Sequence, residues 1–262
     1  MTAIVDGIML NPGYFVLIVF RVGGLIFASP IFGRVKIPAI AKIAFITSLG
    51  FLFFTIFPQT EPLVFSSVMG FVLLAAMELL LGMALAFVTN IFFSLVSFTA
   101  GQLIDMQIGF GIVNVFDIQN NTQIPMMGNL LNLMMLMMFF AVNGHLRLIE
   151  LVFLTMEGLP IGTPVLSAAV GYMAVQVFVR AFLLGVMMAL PILASGLTLE
   201  IAFGMMMRAV PQIHMFVVGI PLKVIVGLVV FMFSLPVFIG FTNRVFSDLF
   251  FSIDEMFAAF VG

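Results

Sequence analysis

The sequence predicts an all-α integral membrane protein of several apolar helices, and three observations support this prediction. Apolar residues make up 64% of the 262 positions and charged residues only 8%, whereas soluble domains carry about 25% charged residues. Nine Lys plus Arg and eleven Asp plus Glu are too few to cover a soluble chain of this length. The apolar residues also form long runs, and helices satisfy their own backbone hydrogen bonds in lipid.

The first two apolar runs, at about residues 14–32 and 43–57, predict two helices. Three of the nine basic residues lie in the loop between them, whereas the next loop, residues 58–62, carries a single acidic residue. The positive-inside rule therefore places the first loop in the cytoplasm and the N-terminus on the outer side. Asp6 stands where a signal peptide would carry a basic residue, so we expect no cleaved targeting segment.

The next apolar run, residues 63–98, is too long for one simple crossing. As a helix it would extend roughly 54 Å, against a hydrocarbon core of ~30 Å. Either the helix breaks near residues 78–82, or much of it packs against protein. Residues 100–122 form the most polar stretch and contain three glycines, which disfavour a continuous helix, so we expect a loop there.

The C-terminal half contains three further apolar runs. Residues 124–142 end in an Asn-Gly-His turn, and a second break follows at residues 158–164. Two long apolar segments, about 165–207 and 217–241, are interrupted by prolines and glycines. Such residues are tolerated where neighbouring protein satisfies the backbone, so we predict long broken helices buried in an assembly. From Ser247 we expect a short amphipathic tail.

Six ionisable side chains fall inside the apolar runs, where exposure to lipid is costly. They are Arg21, Glu78, Arg180, Glu200, Arg208 and Lys223. One interpretation is a pathway for a substrate or for protons, and the other is pairing between helices or between subunits. Because both signs are present, we favour buried charges that make helix or subunit contacts.

Nothing in the sequence indicates catalysis, a cofactor or a metal site. Cys is absent, and His145 and His214 are far apart, without a His-Glu-x-x-His helix. The chain has neither a Gly-x-x-x-x-Gly-Lys-Ser/Thr loop nor a Gly-x-Ser-x-Gly elbow. It also lacks a basic stripe, so we expect no nucleic-acid partner. The sequence predicts a protein that is not an enzyme, with no catalytic, cofactor-binding or metal-binding residues.

Eleven different short motifs follow one another along nearly the whole chain. They are Phe20-Arg21-Val22, Ser29-Pro30-Ile31-Phe32-Gly33, Ile37-Pro38, Ala100-Gly101-Gln102, Gln107-Ile108-Gly109, Ile124-Pro125, Asn143-Gly144-His145-Leu146, Leu159-Pro160-Ile161-Gly162, Ala189-Leu190-Pro191, Pro211-Gln212-Ile213 and Pro221-Leu222-Lys223. Each motif alone is weak evidence, but their combined order and spacing are specific to one family. In these motifs the chain resembles the FliR family of the flagellar type III protein-export gate.

The resemblance implies a structural subunit of the flagellar basal body in the bacterial inner membrane. Its partners would be FliP-like and FliQ-like subunits, the FlhB-like and FlhA-like export proteins, and the unfolded polypeptides that are exported. About residues 1–164 would resemble a FliP subunit, and about residues 165–262 a FliQ hairpin. The resemblance also implies that the chain does no chemistry itself. Energy for export would come from partners, namely a soluble ATPase and the proton motive force.

The polar middle loop corresponds in this resemblance to the family's pore plug. The predicted plug residues are Met106, Gln107, Ile108, Gly109, Phe110, Gly111, Ile112, Val113, Asn114, Val115, Phe116 and Asp117. Apolar bulk can block a constriction by dewetting, and the glycines can act as hinges. The family often has Asp-Pro where this chain has Asp117-Ile118, so the resemblance does not fix the position of the loop's final turn. The alternative is an ordinary surface loop.

Two other functions compete with a flagellar gate subunit. The first is the SctT-type subunit of a virulence injectisome, although Asn143-Gly144-His145 favours the flagellar branch. The second is a secondary transporter, which predicts inverted repeats, and the sequence shows no convincing one.

Overall fold

The computed structural model describes residues 11–31, 37–58, 67–109, 116–117, 122–123, 126–163, 168–209 and 215–261. In chain order its helices are α1 (Pro12–Ala28), α2 (Ala39–Ile56), α3 (Val68–Ile91), α4 (Ser97–Ile108), α5 (Met126–Ala141), α6 (Gly144–Gly158), α7 (Ala168–Ala209) and α8 (Met215–Val261). Two short strands, β1 (Phe116–Asp117) and β2 (Thr122–Gln123), pair antiparallel, with Phe116 opposite Gln123. Apart from this pair the described elements are helical, so the all-α prediction is confirmed.

Four helical stretches among the described residues are long and apolar enough to cross a membrane. They are Ala39–Ile56, Val68–Ile108, Ala168–Ala209 and Pro221–Phe260. Helices α5 and α6 together form a further candidate span, which is bent by 67° at its break. The protein is an integral membrane protein, as its composition predicted.

The long apolar run does not break near residues 78–82. Helix α3 is regular there, and the irregularity lies at a π-helical turn, Phe92–Val96, which leads directly into α4. The extra residue of a π turn re-aims the side chains that follow it. Glu78, Leu81 and Leu85 are buried, so the second alternative, packing against protein, describes α3.

The two C-terminal helices continue through their prolines. Helix α7 contains Pro191, and α8 contains Pro221 and Pro236, without ending at any of them. A proline removes one backbone hydrogen bond, and apolar helices tolerate this where neighbours compensate. The short amphipathic tail expected from Ser247 is the last part of α8, which extends to Val261 without a break. Buried residues recur in this part of α8 at spacings of three and four: Val245, Leu249, Ile253, Met256 and Phe260.

The chain divides into two compact units. The first comprises Met1–Asn90, Val142–Val177 and Leu249–Gly262, and the second comprises Ile91–Ala141 and Phe178–Asp248. Each unit takes sequence from both sides of residue 164. This division therefore does not coincide with the predicted FliP-like and FliQ-like parts, whose likeness to those subunits stays a prediction.

The second unit has an aromatic core built around the π turn. The ring of Phe93 lies 5.3 Å from that of Phe139 on α5, and the Phe139 ring lies 5.6 Å from that of Phe246 on α8. Both contacts are edge-to-face, the arrangement that aromatic quadrupoles favour. Phe93 and Phe139 are almost fully buried, so the turn directs one large side chain into the centre of this unit.

Candidate functional site

Two glycines bring α1 and α3 into direct backbone contact in the first unit. A Cβ atom on Gly24 would overlap the carbonyl oxygen of Leu79, and a Cβ on Gly82 would overlap the carbonyl oxygen of Arg21. Small residues allow such close crossings between apolar helices. Arg21 and Glu78 lie about one turn from this crossing on their own helices, so their side chains come within reach of each other.

Arg21 and Glu78 form a buried, bidentate ion pair. Arg21 Nε donates to Glu78 Oε2 at 2.6 Å, and Arg21 Nη2 donates to Glu78 Oε1 at 3.1 Å. The two side chains are 1% and 0% exposed. The planar guanidinium matches a carboxylate in this geometry, which adds specificity as well as energy.

The remaining hydrogen-bonding capacity of the pair is used at the end of α6. Arg21 Nη1 donates to the carbonyl oxygens of Thr155 and Leu159, at 2.9 Å each. The backbone N–H of Gly162 donates to Glu78 Oε1 at 2.7 Å, and Gly162 has a φ of 91°, which favours glycine. We call Arg21, Glu78, Thr155, Leu159 and Gly162 the charge clamp. It ties α1, α3 and the turn after α6 together.

The start of the predicted plug loop lies on a helix rather than in a loop. Helix α4 continues to Ile108 and includes Met106 and Gln107, and Gly109 ends it with a φ of 96°. The expectation of a loop from residue 100 is therefore wrong for residues 100–108. Buried side chains recurring along this segment, including Ile104 and Ile108, account for the helix.

The other plug residues are only partly covered by the structure. Phe110, Gly111, Ile112, Val113, Asn114 and Val115 lie outside the described residues. Phe116 and Asp117 form β1, which pairs with β2 just before α5. The chain thus leaves α4 at Gly109 and returns towards α5 through a short antiparallel pair.

The base of this loop is a tight junction between α4 and α5. A Cβ on Gly101 would overlap the backbone of Gly128, so the two helices touch there. The buried carboxylate of Asp105 accepts from the N–H of Met127, at 3.3 and 3.4 Å to its two oxygens. That N–H belongs to the first turn of α5, where the helix itself offers no acceptor. Sequence reasoning missed this role of Asp105, whose only signal was a carboxylate between glycines.

Comparison with known proteins identifies the family. The model of a family described as "Bacterial export proteins, family 1" matches residues 13–249. The Flagellar biosynthetic protein FliR of Escherichia coli (strain K12) is 32% identical over 231 residues, covering 88% of this chain and 87% of that protein. The FliR proteins of Pectobacterium carotovorum and Bacillus subtilis are 31% and 29% identical, covering 88% and 89% of this chain and 87% and 90% of their own lengths. The chain belongs to the FliR family.

Membership confirms the resemblance seen in the sequence motifs. Together with the apolar helices, it makes this FliR-family chain a membrane-embedded component of a flagellar export apparatus. The relatives named above are flagellar biosynthetic proteins, which agrees with the flagellar branch over the injectisome branch.

In this FliR-family chain the charge clamp has the properties of a structural contact. A group that passes protons must release and regain them, whereas arginine remains protonated in proteins. The carboxylate of Glu78 accepts from Arg21 and from Gly162, so its neighbours hold it in one geometry. The geometry at Arg21 and Glu78 therefore favours pairing over a proton pathway.

The other predicted charges lie in the second unit. Lys223 Nζ lies 2.5 Å from Glu200 Oε1, and their side chains are 19% and 42% exposed. Arg180 is half-buried, and Arg208 is exposed in the last turn of α7, where a cation suits the helix dipole. The structure thus brings together two opposite-charge pairs among these six residues. Contacts of the six with other subunits stay a prediction.

The described residues show little material for catalysis. No three His, Asp or Glu side chains among them cluster in a way that could hold a metal ion. A cavity of about 340 Å³ lies beside the charge clamp in the first unit. Its lining is mostly apolar, with Leu85, Leu151 and Phe257 among the wall residues and Thr155 shared with the clamp.

Proposed function

We propose that this chain is a structural, non-enzymatic subunit of the flagellar type III export gate. With FliP-like and FliQ-like subunits it forms the secretion pore, and residues 106–117 plug that pore until an unfolded polypeptide is exported. Family membership supports the export role. The observation that supports plugging best is the construction of the loop's base.

A plug needs a fixed base and a tip that can be displaced. The base is fixed because α4 and α5 touch at Gly101 and Gly128, and because Asp105 accepts from the first turn of α5. The change of backbone direction falls at Gly109, whose left-handed conformation costs glycine little. Movement beyond Gly109 therefore leaves the α4–α5 contact intact.

The composition of the loop supports a seal against water and ions. Residues 109–116 include two Phe, one Ile and two Val, with only one polar side chain. A constriction lined by such side chains excludes water and blocks ions by dewetting. An ordinary surface loop would place this apolar material in solvent without compensation.

The exposed helix faces support assembly in a membrane. In the candidate spans Ala39–Ile56 and Pro221–Phe260 only 22% and 17% of the most apolar window is buried. Large side chains such as Phe233, 74% exposed, need lipid or a partner helix. We assign these faces to lipid and to the FliP-like and FliQ-like subunits, with FlhB-like and FlhA-like proteins nearby. The location is the inner membrane, with the N-terminus on the outer side.

Deleting residues 109–116 tests the plug. The variant chain is co-expressed with the FliP-like and FliQ-like subunits, and the purified complex is reconstituted for conductance measurements. We expect parental yields of the complex and a clearly raised resting conductance. Failure of the parent chain to co-purify with these subunits would contradict the proposed partners.

A matched pair of variants separates sealing from loop length. Phe110→Ser, Val113→Ser and Phe116→Ser together remove apolar bulk, whereas the same three positions changed to Leu retain it. We expect the serine variant to conduct ions at rest and the leucine variant to stay closed. Complexes of the deletion and serine variants that are as tight as the parent would overturn the plug.

A further inference from the structure

The C-terminal end of α4 lies against two glycines of the second unit. A Cβ atom on Gly196 of α7 would overlap the side chain of Gln107, and a Cβ on Gly227 of α8 would come within 2.8 Å of Ile108 Cγ1. Ile108 is 0% exposed. The missing side chains at these two positions leave the space that Gln107 and Ile108 occupy.

A third glycine extends this contact towards the start of α4. A Cβ on Gly185 of α7 would lie 2.8 Å from the Cβ of Thr99. By contrast, a Cβ on Gly204 of α7 or on Gly240 of α8 would meet nothing within 4 Å. Of these five glycines, the three that face α4 are those at which a Cβ atom would meet a neighbouring side chain.

An ion pair joins α7 and α8 beside the two glycines. Glu200 lies one turn after Gly196, Lys223 lies one turn before Gly227, and their charged atoms are 2.5 Å apart. Gln107 Nε2 lies 3.5 Å from the same Glu200 oxygen, which is longer than a strong hydrogen bond. The pair therefore acts mainly between α7 and α8, which form the two walls of this contact. We call Gly196, Glu200, Lys223 and Gly227 the seat.

We infer that the seat positions the plug by fixing its root, the C-terminal end of α4. This inference rests on the proposed function. Gly196 and Gly227 act as positioning residues through the fit of Gln107 and Ile108. The Glu200–Lys223 pair holds the walls at the distance which that fit requires.

Alanine substitutions in reconstituted complexes with FliP-like and FliQ-like subunits test the seat. Gly227→Ala should raise the resting ion conductance about fivefold to a hundredfold, because overpacking a filled contact shifts a two-state equilibrium by a factor in that range. Gly196→Ala should lie at the lower end of that range, because its Cβ meets the flexible side chain of Gln107. Gly204→Ala and Gly240→Ala, on the same helices but facing open space, should leave it unchanged. Gln107→Ala combined with Gly196→Ala should restore tight closure, since the shorter side chain makes room. Assembled Gly196→Ala and Gly227→Ala complexes as tight as the parent would overturn the inference.

A reversible disulfide tests whether the root stays fixed, even if the alanine variants assemble poorly. The chain has no Cys, so Gln107→Cys with Gly196→Cys gives a single engineered pair. We expect oxidation to link α4 to α7 in the resting gate and export to continue at the parental rate. Export that stops on oxidation and resumes on reduction would show that the root must move, and would refute the seat as a fixed anchor.

The two proposals can fail separately. If deletion of residues 109–116 opens the pore while the seat variants stay tight, the plug stands and the seat fails. If that deletion leaves the pore closed, the plug itself fails, and the disulfide still reports whether α4 is anchored during export.

Discussion

Arg21→Ala removes one half of the charge clamp and leaves the other half buried. Glu78, 0% exposed, would keep a single donor, the N–H of Gly162, and the Leu159 carbonyl oxygen would lose the Arg21 donor. Breaking one partner of a buried ion pair costs about 3–5 kcal/mol. At 1.4 kcal/mol per factor of ten, the ratio of folded to unfolded chain falls by about a hundredfold to a few thousandfold. Whole proteins are stable by only about 5–15 kcal/mol, so this loss is large.

Replacing both charges tests whether the stranded buried charge causes the loss of stability. Arg21→Met with Glu78→Met removes the stranded charge, and apolar replacement of buried pairs is often nearly neutral. The Gly162 N–H and the Leu159 carbonyl oxygen still lose partners, at about 1–3 kcal/mol per buried unsatisfied group. The double variant should therefore be more stable than either Arg21→Ala or Glu78→Ala, and less stable than the parent.

The measurements are the thermal unfolding temperature in detergent, the yield of complex with FliP-like and FliQ-like subunits, and export per assembled complex. We expect Arg21→Ala and Glu78→Ala to lower the first two strongly and the third little. The control is Arg147→Ala, which breaks an ion pair with Glu150 in which both side chains are about half exposed. Such surface pairs are worth about 0–1 kcal/mol. Parental unfolding and assembly in both clamp variants would refute the reasoning.

Two further predictions concern the helix crossing and the membrane topology. Gly24→Ala should reduce assembly sharply because its Cβ meets the Leu79 carbonyl oxygen, whereas Gly23→Ala, whose nearest neighbour would be 3.8 Å away, should assemble normally; equal yields would argue against the crossing. Single cysteines at Ala3 and Val35 should react with an impermeant thiol reagent only from the outer and the cytoplasmic side respectively. The reverse labelling pattern would refute the proposed orientation.

Composition and motifs predicted the class and the family because both depend on the whole chain. A charged fraction of 8% excludes a soluble surface whatever the local structure is. Boundaries were less predictable. The helical course of residues 100–108 depends on burial of Ile104 and Ile108 inside the second unit, which outweighs the local cost of Gly101. The continuation of α8 past Ser247 likewise depends on buried contacts that are distant in sequence.

In the candidate site, too, the sequence revealed which residue types matter but not which groups they contact. Burial cost singled out Arg21 and Glu78 as charges that need partners, and the structure pairs them. The periodicity of the sequence could not show that the end of α6 supplies the other acceptors, because Thr155 and Leu159 contribute backbone oxygens. Backbone groups have no residue-specific signature. Gly128 and Gly227 went unnoticed for a similar reason, since a glycine's role depends on what lies opposite it.

Close glycine contacts build both parts of the candidate site in this FliR-family chain. Gly24 and Gly82 bring a charged pair into range in the first unit, and Gly196 and Gly227 make room for the end of α4 in the second. Between apolar helices in lipid the hydrophobic effect contributes little, so backbone approach and hydrogen bonds stabilise the contacts. Large apolar residues on exposed faces, such as Phe233, can then change with little effect on this chain's own fold. The loss of stability on substitution should therefore be largest at glycines that closely face other atoms, and small at exposed hydrophobic positions.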